Sequence, residues 1–146
     1  GERIGYVAVN PESGVSAMLV NMCGQISRGI GHNCPSSVIQ LAAADCCDLT
    51  SDLSVYETNM NLLYDALTAL GFDVVRPGGT FYLFPGVEKT GLDEKAFCKV
   101  LLDQAHVLVS PGTPFGVSAA GHFRIACTVG IDQLKTAFDR MEKLSF

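Results

Sequence analysis

The chain has 146 residues, enough for one ordinary domain and short for two. With 48% hydrophobic and 17% charged residues it can bury a core, which excludes a disordered segment. A net charge of −5 with no dense Lys/Arg run excludes nucleic acid as a partner, because neutralising phosphates takes clustered cations.

No uninterrupted apolar stretch approaches the roughly eighteen residues of a membrane span, so no membrane partner is expected. The opening "GERIGYVAVN" carries charge without the apolar centre of a secretion signal. Cys23, Cys34, Cys46, Cys47, Cys98 and Cys127 form no C-x-x-C pair, and His32, His106 and His122 are far apart. These thiols are expected to be free and buried, in a cytoplasmic protein without a metal site.

In chain order, "RIGYVAV" is a short apolar run that predicts a buried strand. The turn "NPESG" and a helix through Val15, Met18, Leu19 and Met22 follow. "GIGHNCP" ends that helix, and Pro35 suits the first turn of the next, "PSSVIQLAAADCC". From Asp52 a long helix places Tyr56, Met60, Leu63, Leu67 and Leu70 on one stripe, with Gly71 where a helix-ending glycine belongs. "FDVV" reads as a strand, "RPGG" as a turn and "TFYLFP" as an aromatic-rich strand. Asp93 caps a helix whose Ala96, Phe97, Val100 and Leu101 face inward. The strand "HVLVS", the loop "PGTPFG", the strand "GHFRIACT" and a last helix through Ile131, Leu134, Phe138 and Met141 complete the order.

Helices and strands mixed in this way predict an α+β unit, a mainly antiparallel sheet covered by helices, over residues 51–146. Residues 1–50 supply one strand and two helices that do not fit that unit. A lone strand must pair with something, so the front end reads as a piece of something larger.

Arg124 stands in an otherwise apolar strand, among Phe123, Ile125 and Ala126. A guanidinium there needs an anion, and its planar fork matches a carboxylate bidentately. An internal Asp or Glu would serve, as would escape to solvent from an edge strand; a bound carboxylate is the third possibility. Arg3 opens the first predicted strand beside Gly1 and Gly5, where either phosphate recognition or a plain surface position is open to it. No G-x-x-x-x-G-K-[ST], G-x-G-x-x-G or G-x-S-x-G pattern occurs.

Taken in order, "GERIGY", "ISRGIGHNCPSSVIQLAAA", "LGFDVVRPGGTFYLFP", "FCKVLLDQAHVLVSPGTPFG", "GHFRIACT" and "IDQLKTAFDRM" resemble the C-terminal part of fold-type I, pyridoxal-phosphate-dependent aminotransferases of the aspartate aminotransferase superfamily. The resemblance implies that residues 51–146 are the C-terminal small domain and residues 1–50 a remnant of the large cofactor-binding domain. It makes Arg124 the arginine that grips the substrate α-carboxylate, pointing into a concavity bordered by "TFYLF" and the "SPGTPFG" loop, and Arg3 one that helps hold the cofactor phosphate. Arg28 stands before Asn33 much as a side-chain-carboxylate arginine does in dicarboxylate-specific members.

Members of that family are much longer. Their Schiff-base lysine falls just ahead of the position of Gly1, and none of Lys89, Lys95, Lys99, Lys135 or Lys143 stands where it could replace it. The resemblance therefore implies a C-terminal fragment with no catalytic lysine of its own, inactive alone. Its parent would transfer an amino group between an amino acid and a 2-oxo acid with pyridoxal phosphate, as a homodimer or larger assembly. A non-catalytic carboxylate-binding or dimerisation domain and one half of a split enzyme are the alternatives.

Overall fold

The structure, a computed structural model, describes residues 3–144. The chain divides into two compact units, residues 1–51 and 52–146.

In the first unit, α1 (Ser16–Gly29) follows a short 3-10 turn capped by Asn10, whose side chain accepts from the Glu12 amide. The Ser36 side chain accepts from the Ile39 amide and caps α2 (Ser37–Asp45). Pro35 thus precedes the cap and does not occupy the first helical turn. The strand expected over residues 3–9 is absent, and those residues have no regular structure. Strand geometry is held by ladder hydrogen bonds to a neighbour, and no strand of the sheet includes residues from this unit. Neither helix buries a residue; Met18, Met22, Ile26, Val38 and Leu41 are all exposed.

The second unit is built on α3 (Leu53–Ala69). Asp52 caps it by accepting from the Ser54 amide at 3.0 Å, and Gly71 ends it with φ of +82°. Leu63 and Leu67 are fully buried, with Tyr56, Met60 and Leu70 packed beside the same core. That core also holds Phe72, Phe97 and Phe123, whose ring centroids lie 4.9–5.6 Å apart in tilted and edge-on pairs. Such pairs add to the gain from burying the rings themselves.

The sheet has three strands: β1 (Tyr82–Leu83), β2 (Ser110–Pro111) and β3 (Phe123–Ala126), in the order β1-β3-β2 and antiparallel throughout. Helix α4 (Glu94–Val100) starts at Asp93, whose side chain accepts from the Lys95 and Ala96 amides, and runs on as a π-helical turn over Leu101–Ala105. His106 ends that turn in the left-handed region, and α5 (Ile131–Met141) closes the unit.

"FDVV" is not a strand, although the Asp73 carbonyl accepts from Gly86. "HVLVS" pairs only at its end, with Val107 and Val109 buried ahead of β2. Apolar runs of this length record burial, and burial does not require a ladder. The antiparallel α+β arrangement itself is as expected.

Candidate functional site

Strand β3 alternates: Phe123 and Ile125 are buried, while Arg124 and Ala126 face the other side. Alternation is inherent to a pleated strand, so Arg124 does not enter the core despite its apolar neighbours. The register pairs Tyr82 with Ala126 and Ser110 with Arg124. Tyr82 therefore lies diagonally across the ladder from Arg124, within reach of a long side chain.

The Arg124 guanidinium carbon sits 4.3 Å from the centroid of Tyr82 and 4.2 Å from that of Phe115. Two π-faces bracket one cation, and each contact of this kind contributes about 0.5–1 kcal/mol where water has access. Tyr82 comes from "TFYLF" and Phe115 from "SPGTPFG". Among the described residues no carboxylate lies within 4.0 Å of Arg124; the ion pair there is Lys99 with Asp103. Among the described residues the Arg124 N–H groups, which bind carboxylates, donate to no side chain or carbonyl.

The ring of Phe115 meets Phe84 edge-on at 6.1 Å, and Phe84 stacks on His122 at 5.6 Å. The loop carrying Phe115 is closed at its base by the Gly112 amide donating to the His122 carbonyl at 2.8 Å. Gly112 is required there: a Cβ would lie 2.0 Å from the Ala119 carbonyl oxygen and 2.8 Å from that of His122.

Glu94, 8% exposed, holds both ends of the same loop. One carboxylate oxygen accepts from the Thr113 hydroxyl and the other from the Gly121 amide, the latter at 3.1 Å. The Thr113 hydrogen bond first, then the backbone donors of Glu94 and Gly121, hold this carboxyl below the usual glutamate range.

The segments "TFYLF" and "SPGTPFG" border Arg124 as expected, but the sequence did not single out Tyr82 and Phe115 within them, and it missed Glu94. The two rings lie in different segments, and "DE" at the start of α4 reads only as capping.

Arg3 belongs to the other unit and has a positive φ of 58°. It is exposed and lines a cleft of about 540 Å3 with Gly5, Ser27, His32, Asn33 and Ser36. Arg28 is exposed in the last turn of α1 and is not among the residues lining that cleft. No group of three His, Cys, Asp or Glu among the described residues could hold a metal. Cys23, Cys34, Cys46 and Cys47 are exposed, contrary to expectation, because the helices beside them bury nothing. Cys127 is buried and Cys98 partly so, and all six thiols are free. No described helix is long and apolar enough to cross a membrane.

The second unit is thus an α+β layer in which Arg124 lies over two rings and has no carboxylate partner among the described residues. Residues 1–141 match the family described as aminotransferase class I and II. The chain is 38% identical over 99% of its length to aromatic-amino-acid aminotransferase 2 of Thermococcus litoralis, and 37% identical over 99% to an aspartate aminotransferase of Pyrococcus abyssi. A crystal structure of an amino transferase from Eubacterium rectale superposes on 98% of the chain with a TM-score of 0.79 and 32% identity. The chain belongs to the class I and II aminotransferase family, whose cofactor is pyridoxal phosphate. It spans 37% of the length of each of the two named relatives.

Proposed function

We propose that this chain is the C-terminal portion of an aminotransferase that moves an amino group between an amino acid and a 2-oxo acid. Residues 51–146 form its small domain and residues 1–50 a remnant of its large, cofactor-binding domain. The observation that carries this reading is Arg124, stacked between Tyr82 and Phe115 with no carboxylate partner among the described residues.

Arg124 binds the substrate α-carboxylate through its N–H edge. The two rings fix its plane, so the substrate is oriented as well as held. Arg3 holds the phosphate of the cofactor: its exposed cleft contains no carboxylate, and a guanidinium suits a phosphate dianion. When bound, pyridoxal phosphate supplies the electron sink for the transfer.

Two of the chain's lysines are engaged within residues 52–146. Lys89 donates to the Leu70 carbonyl and lies over Phe72, and Lys99 pairs with Asp103. None of the five lysines stands where the resemblance puts the Schiff-base lysine, and on this reading the chain by itself is inactive. Its cytoplasmic location and its pairing with a second copy belong to the same proposal, the pairing supported by the apolar surface of α1 and α2.

The test is Arg124→Ala in the full-length enzyme that carries this chain. A large rise in KM for the amino acid is expected. An unchanged KM, with the fold intact, overturns the reading.

A further inference from the structure

We propose that Glu94 is a positioning residue for the carboxylate site, acting on Arg124 through the Thr113–Gly121 loop and Phe115. This rests on the reading of Arg124 as the carboxylate clamp.

Four observations support it. Glu94 is almost fully buried, unusual for a glutamate without a cationic partner at ion-pair distance. Its two oxygens are divided between the two ends of one loop, Thr113 at the start and Gly121 at the finish. Phe115 lies between those anchors and projects back over Arg124 at 4.2 Å. The substrate arginine has no carboxylate among the described residues to fix it, so its orientation depends on the rings beside it.

Apart from the Gly112–His122 hydrogen bond at its base and the Phe84–Phe115 contact, the loop has few other restraints. Its residues from Thr113 to Ser118 are exposed, and its two short 3-10 turns are held by their own backbone. Without the Glu94 carboxylate, Thr113 and Gly121 would turn to water and Phe115 would lose its fixed place. Arg124 would then sample rotamers that present its fork wrongly, and substrate binding would meet that ordering cost. A glutamate so placed restrains the clamp without touching the substrate.

Glu94→Gln keeps the size but puts an amide nitrogen against one of two donors. In the holoenzyme, assayed with the amino acid it turns over fastest in a screen of the standard set, KM should rise about tenfold while kcat changes less than about threefold. Thr113→Val should act in the same direction, and Thr113→Ser should restore the wild-type KM. In a Phe115→Leu background the Glu94→Gln effect should largely vanish, since the path runs through that ring.

An unchanged KM in Glu94→Gln, or a full effect persisting in the Phe115→Leu background, overturns this inference alone. If Glu94→Gln fails to fold, the Thr113→Val and Thr113→Ser pair decides it by the same criteria. Arg124→Ala serves as the control: no effect on KM there removes the carboxylate clamp and this inference with it.

Discussion

Asn59, on the inward side of α3, donates from Nδ2 to the carbonyl of Cys127 at 3.0 Å, just beyond β3. The same nitrogen reaches the Val129 carbonyl, also at 3.0 Å. One buried amide thus joins the long helix to the turn between β3 and α5, and Asn59 is 4% exposed. Asn59→Ala leaves two carbonyls without their donor and should destabilise residues 52–146 by about 2–4 kcal/mol. Urea denaturation should show a lower midpoint with an unchanged slope. A midpoint equal to wild type would mean water replaces the amide at no cost.

Arg124→Lys separates holding from folding. A lysine keeps the charge but loses the bidentate fork and the flat surface that stacks on Tyr82 and Phe115. In the full-length enzyme it should weaken substrate binding by about 1.5–3 kcal/mol, the range for a hydrogen bond to a charged group. Stability should fall by no more than about 2 kcal/mol, from the two lost ring contacts. Unfolding of the chain by this change would make the arginine structural.

Gly112→Ala attacks the loop from its base. The backbone there is ordinary, with φ of −74°, so the obstacle is steric: the new methyl would meet the Ala119 and His122 carbonyls. The loop must shift, and a loss of about 2–4 kcal/mol is expected in thermal unfolding, as for other overpacked positions. Substrate binding in the full-length enzyme should weaken as well, because Phe115 rides on the same loop.

The Glu94 carboxyl also predicts a pH dependence. Its folded-state pKa is lowered, so its contribution is fully present above the ordinary glutamate value and is lost as pH falls through the lower folded value. The groups acting on it are Thr113, the amides of Glu94 and Gly121, and the Lys95 charge. Glu94→Gln should flatten this acid limb of stability relative to wild type. Parallel acid limbs in the two proteins would show that other carboxylates dominate.

Thiol labelling should sort the cysteines. Burial pushes the Cys98 thiol up to about 11, and burial also raises Cys127. At mildly alkaline pH these two should resist a disulfide reagent until the chain is denatured. Cys23, Cys34, Cys46 and Cys47 are exposed and should react first. Protection of all six would indicate that another chain covers residues 1–51, which sedimentation at micromolar concentration would detect as a dimer or larger species.

The amino-acid sequence by itself determined the helices of residues 52–146. The stripe from Tyr56 to Leu70, the caps at Asp52 and Asp93 and the left-handed Gly71 follow from interactions within a few residues of each other. It also determined that Arg124 would stand out in its strand. Strands were another matter: "RIGYVAV" and "FDVV" have strand composition, yet a strand exists only where a second one completes its ladder. Only the tertiary structure decided which side chains of the bordering segments surround the arginine. Tyr82, Glu94, Phe115 and Arg124 come from four separate segments, and the antiparallel pairing of β3 with β1 and β2 brings them together. No local pattern encodes that meeting, because it is the register between strands that decides which ring faces which charge.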